Sequence, residues 1–185
     1  LSNSFSVPNQ RTMTVSGDNG TLALGGTITF NNQSQFIFDS PGTKVSGVFD
    51  FTNNNLLDVK QSVTFQFRQL DPHLPSISKW GDNSKIKIAN SATLKYIDNQ
   101  WETKGALTKT GGAMSLDNVS WSLIDNTGYS SDTAVKTQTL ALNNYVLTLT
   151  TAGSDLTVTD NLTFDNSSEQ IITGLADLTL QGGFI

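Results

Sequence analysis

One short pattern constrains the fold of this chain more than anything else in it: an apolar residue, then Asn, Asp or Thr, then Asn. It occurs as Phe30-Asn31-Asn32, Phe51-Thr52-Asn53, Ile97-Asp98-Asn99, Leu116-Asp117-Asn118, Ile124-Asp125-Asn126, Leu142-Asn143-Asn144 and Phe164-Asp165-Asn166. With Asn126 set aside, the closing positions are Asn32, Asn53, Asn99, Asn118, Asn144 and Asn166. Their successive steps are 21, 46, 19, 26 and 22, and 46 is two steps of 23. A period of about 22 residues marks a repeat architecture. It predicts a parallel β-helix, or β-solenoid, in which each turn stacks on its equivalent about 4.8 Å further along the axis. Asn tolerates the left-handed backbone of a tight turn, and its amide can bond to the same amide one rung on. The six asparagines are therefore expected to form a ladder along one edge, with the preceding Phe, Leu or Ile pointing inward.

The strands fit this reading. Two-residue alternation recurs in Thr27-Ile28-Thr29-Phe30, Gln35-Phe36-Ile37-Phe38, Val63-Thr64-Phe65-Gln66-Phe67, Lys85-Ile86-Lys87-Ile88 and Leu147-Thr148-Leu149-Thr150, while helical periodicity is hard to find. With 24 Thr, 20 Ser, 17 Asn and 15 Gly, the polarity comes from short neutral side chains suited to strands and turns, which says all-β. Many short strands also suit an antiparallel β-sandwich of jelly-roll or pilin-like type, which is the alternative. A single solenoid domain over 1–185 is expected, interrupted by a loop excursion at 69–84. There Asp71-Pro72-His73-Leu74-Pro75 falls where a marker is missing, and two prolines do not both fit a ladder. A smaller excursion is expected from Asp125 to Thr133.

The stretch Gly105-Ala106-Leu107-Thr108-Lys109-Thr110-Gly111-Gly112 resembles the repeat of autotransporter passenger domains, with its Gly-x-Leu-x-Lys-x-Gly opening. After Gly112, Ala113-Met114-Ser115-Leu116 departs from that pattern. The resemblance implies an exported, cysteine-poor, β-helical surface adhesin and transfers no functional residue.

The charge of −5 and the two arginines, Arg11 and Arg68, argue against nucleic acid. No long apolar run argues for membrane insertion. Cysteine is absent, and the only histidine, His73, sits between two prolines with no nucleophile elbow beside it. No clustered ligand set points to a metal or cofactor, although Asp155, Asp160 and Asp165 could form an acidic corner. Carboxylate pairs for glycosidase chemistry are conceivable at Asp50 with Asp58, or Asp98 with Asp117. One binding row stands out: Trp80, Trp101 and Trp121, at steps of 21 and 20 in sequence number, followed by Tyr145. Facing outward they would offer sugar rings a stacking surface, and facing inward they are an aromatic core stack. The chain is expected to be a non-enzymatic structural or adhesive solenoid outside the cell. It would be either a segment of a surface adhesin or a subunit stacking end to end into a fibre. Its partners would be copies of itself and surface glycans. A carbohydrate-active β-helix (lyase or glycosidase) and a donor-strand filament subunit are the alternatives.

Overall fold

The computed structural model describes residues 4–66, 76–164 and 172–185, and it is a parallel β-solenoid. The strands pair in parallel, each with a segment one coil further along the chain. That overturns the antiparallel sandwich, and with it the donor-strand subunit. Phe5–Val7 is not a free arm, because it pairs with 28–30 as the first rung of a face.

Each coil has three faces. The first stacks Phe5–Val7, 27–30, 48–53, Ser76–Asp82, 99–103, 120–123, Thr139–Ala141, Asn161–Thr163 and Gly183–Phe184. The second runs from Thr12–Ser16 through Gln35–Asp39 and Leu56–Val59 to Leu147–Leu149 and Ile172–Gly174. The third includes Val63–Gln66, Val135–Thr137, Leu156–Val158 and Leu178–Leu180. The long strands Ser84–Ile97, Asn99–Asp117 and Ser120–Ser131 bend round a corner and serve two faces or more.

Chain chemistry explains the corners. A strand can change face only where one residue leaves the extended region, and left-handed residues supply that bend. Gln10, Gln33, Asn54, Asn83, Asn143 and Asn144 do so between the first and second faces, and Asp98 and Asn118 between the third and first. On the flats, alternation sends every second residue inward. Phe36, Phe38, Leu57, Val59, Ile86 and Ile88 are buried while their neighbours face out.

Most coils pair positions a similar distance apart in sequence, as Phe5 with Ile28 and Leu140 with Leu162. Three pairings are wider: Val48 with Ile77, Leu56 with Lys85 and Val63 with Leu94. All three span the segment between Gln66 and Ser76, which places the additional chain at the corner from third to first face. The expected excursion at 69–84 is thus corrected at its far end: Ser76–Asp82 is a ladder strand, and Ser84 begins the next. Positions 69–75, with His73, lie outside the described residues. The excursion expected from Asp125 to Thr133 is also overturned. Asp125 and Asn126 form an ordinary corner, and 127–131 is a second-face strand.

Candidate functional site

The three tryptophans lie inside. Trp80, Trp101 and Trp121 are essentially without solvent exposure, with centroids 5.9 Å apart from each to the next. Trp101 and Trp121 occupy equivalent positions on successive coils, whereas Trp80 stands opposite Thr103, two positions along. Phe51 stacks on Trp80 at 4.3 Å and 7° between planes, and Phe30 on Phe51 at 4.8 Å. Tyr145 does not belong to the row, since the residue above Trp121 is Leu140 and Tyr145 sits half-buried at a corner. The outward glycan-stacking surface is therefore corrected to a core stack. Alternation places Gln100 and Glu102 outside and Trp101 between them inside.

The asparagine ladder divides between corners. Asn32, Asn53 and Asn144 lie between the first and second faces, while Asn99 and Asn118 lie between the third and first. Asn166 is outside the described residues. An amide rung joins the Asn54 Nδ2 donor to Asn32 Oδ1 at 3.0 Å, one position beyond the expected Asn53. Asn126 belongs to the same corner, its Oδ1 accepting the Val146 N–H at 2.9 Å. Asn99 instead turns inward and donates to Ser76 Oγ at 2.8 Å.

The Gly105–Gly112 stretch acquires a physical meaning. Gly105 and Gly111, at φ 63° and 88°, make the two corners that bound one second-face strand. Leu107 and Lys109 both point inward. The fully buried Lys109 ammonium spends its three protons on Gly111 O at 2.9 Å, Asp132 Oδ1 at 2.7 Å and Thr133 Oγ1 at 2.8 Å. Asp132 Oδ2 in turn accepts the Gly111 N–H at 2.6 Å. Some desolvation works to raise the Asp132 pKa, but the Lys109 and Gly111 bonds and the lysine charge outweigh it and hold the carboxyl below its usual value. The next corner falls at Gly111-Gly112, and Ala113-Met114-Ser115-Leu116 is already third-face strand, with Met114 and Leu116 pointing inward.

On the outside of the first face, one row runs Thr29, Asp50, Lys79, Glu102 and Ser122 up successive coils. Lys79 Nζ meets Glu102 Oε2 at 3.0 Å. Beside this row Thr52, Gly81, Lys104 and Ile124 line a notch of about 180 Å³. Burial raises the pKa of the half-buried Asp50 carboxyl, against the opposing charges of Lys79 and Lys104 and with help from Glu102. Of this cluster only Asp50 stands out in the sequence. The signal for the rest was Gly81, a glycine next to an inward-facing tryptophan in mid-strand.

The remaining candidates do not converge. Asp50 faces out from the first face and Asp58 from the second, opposite Lys79 and Lys87 respectively. Asp98 and Asp117 share a corner on successive coils. Asp155 and Asp160 occupy different corners, where Asp155 Oδ1 accepts the Asp177 N–H and Asp160 Oδ2 accepts from Gln138. Asp165 is outside the described residues. Among the described residues no group of three or more His, Cys, Asp or Glu lies close enough to hold a metal ion.

The fold and its surface define a three-faced parallel β-solenoid. No protein-family model matches the chain, and neither does any curated protein or any solved structure.

Proposed function

We propose that this solenoid is an extracellular structural and adhesive module: a rod segment that joins further coils through its edges and displays side chains on its flanks. The observation that carries the proposal is the ladder: one parallel pairing scheme joins coil to coil, from Phe5–Val7 on 28–30 to Asn161–Thr163 on Gly183–Phe184. A parallel strand has N–H and C=O groups on both sides, so a free side can accept one more strand. Leu175 stands exposed beside Ile172–Gly174. A β-solenoid coil is completed by another coil, whether of a longer adhesin or of a second copy in a fibre. A surface built from Thr, Ser and Asn, without cysteine, suits display outside the cell.

Sedimentation velocity and negative-stain microscopy over a concentration series test this reading. Concentration-dependent rods that disappear in Leu175→Asp support coil-to-coil joining of separate chains. A monomer at all concentrations overturns assembly and leaves a solitary rod.

A further inference from the structure

The flanks of a parallel solenoid have their backbone groups committed to the ladder, so a ligand bound there must be recognised by side chains. On the outside of the first face, Gly81 stands between Thr52 and Lys104 with no side chain of its own. A Cβ built at this position would stand 1.8 Å from the Thr52 carbonyl oxygen, so the backbone geometry keeps a side chain out. The gap is floored by a rigid layer, because Phe51 and Trp80 stack directly beneath it.

The chemistry around the gap is balanced and unspent. Asp50 and Lys104 both line it, and neither makes a direct hydrogen bond or close ion pair with another described residue. Lys79 is held on the far side by Glu102 at 3.0 Å. Two carboxylates and two ammonium groups sum to no net charge, which disfavours a strongly ionic ligand. Ile124, 40% exposed, adds an apolar shelf at one end. A carboxylate acceptor, an ammonium donor and an aliphatic shelf around a small gap match a sugar ring. Its hydroxyls can donate to Asp50 and accept from Lys104, while its C–H face rests on Ile124.

We infer that the Gly81 notch is a subsite for one neutral hexose unit of a linear glycan lying along the solenoid axis. The volume of about 180 Å³ is below the range of an ordinary ligand pocket and suits one small unit. Thr29 extends the row by one coil beyond Asp50, offering a neutral hydroxyl to a neighbouring unit. The inference rests on the adhesive half of the proposed function and is independent of end-to-end assembly.

The test uses β-1,4-linked glucose and mannose hexasaccharides, with a galacturonic acid hexasaccharide as the charged comparison. Binding is followed by titration calorimetry and by NMR shifts of the Gly81 and Lys104 amides. Low-millimolar or tighter binding of a neutral hexamer is expected, weakened at least about tenfold in Asp50→Asn and in Lys104→Met. It should be unchanged in Lys87→Met on the second face, with all three variants showing wild-type thermal melts. Failure of both neutral hexamers to bind overturns the inference, as does preference for the uronate or binding indifferent to Asp50→Asn and Lys104→Met. Sedimentation of the same variants reads assembly separately, so loss of the notch and loss of the assembly reading are distinguishable.

Discussion

The coils before Gly105 and those after it use one backbone plan with different materials. The earlier coils are aromatic inside: Phe30, Phe36, Phe38, Phe49, Phe51, Phe65, Trp80, Tyr96 and Trp101 form a continuous set of ring contacts. After Trp121 and Tyr129 the interior passes to Leu140, Leu142, Leu147, Leu149, Leu156, Val158 and Leu162. The exterior changes as well. Residues 1–104 carry nine basic and eight acidic side chains, whereas 105–185 carry two basic and eight acidic. Strands shorten to three residues from Val135–Thr137 through Leu178–Leu180. Apart from the wider step between Gln66 and Ser76, paired positions on both sides lie 19 to 25 residues apart, the limits being Ser120 with Thr139 and Leu147 with Ile172, as stacked repeats allow. The ladder and corners therefore set the coil, and the interior side chains set how strongly each coil is held.

The Lys109–Asp132 clamp stands near this change, joining one coil to the next. A buried ammonium with three acceptors is stable only while all three remain, because an unpaired buried charge is costly. It ties the aromatic part of the rod to the leucine part.

Four measurements would break or sharpen the contrast. Trp101→Ala should cost about 4 kcal/mol in urea unfolding, against about 2 kcal/mol for Leu156→Ala, because the aromatic void is larger and wholly enclosed. Equal losses would erase the distinction. Asp132→Ala should cost about 3 kcal/mol by stranding the Lys109 ammonium. The depressed Asp132 pKa gives this clamp a pH signature. The unfolded chain binds the proton more readily, so the contribution is complete above the ordinary carboxylate value of 3.8. It is lost as pH falls through the lower folded value. Acid melts of the wild type should show this loss and those of Asp132→Ala should not. Amide hydrogen exchange should be at least about tenfold faster in Leu156–Val158 and Leu178–Leu180 than in 48–51 and 99–103, since repeat stability is local. Uniform protection would mean one cooperative unit. The smallest effect is expected at Tyr96→Phe. Its fully buried hydroxyl makes no well-aligned hydrogen bond, with Ser78 a weakly placed polar neighbour, and burial pushes its pKa up against that neighbour's pull. Removing it should leave stability unchanged or raise it by up to about 1 kcal/mol.

Much of the architecture was legible in the residue order, for reasons particular residues make plain. The period was readable because a solenoid must return to the same geometry every coil: Asn32 and Asn53 mark one corner a coil apart, and Asp98 and Asn118 mark another. Strand positions such as Gln35–Asp39 were readable because a two-residue alternation has no other use. The clamp was half legible: Gly-x-Leu-x-Lys-x-Gly stood out, but its counterion Asp132 lies a full coil further along the chain and looked like any turn aspartate. The notch was not legible, because it depends on Thr52, Gly81, Lys104 and Ile124 arriving at one place from four coils.

Residue order alone set a period of about 22 residues and the two-residue alternation of the strands, since both are local properties, and left the antiparallel sandwich open until the parallel pairing decided it. The assignment of corners required the assembled coil. Asn, Asp and Gly answer equally to any left-handed bend, so one signature marked several corners at once. Alternation likewise separates Trp101 from Gln100 and Glu102 without saying which set is buried. Only closure of the three faces around a common axis decides that, because it encloses one side of each strand and leaves the other to water.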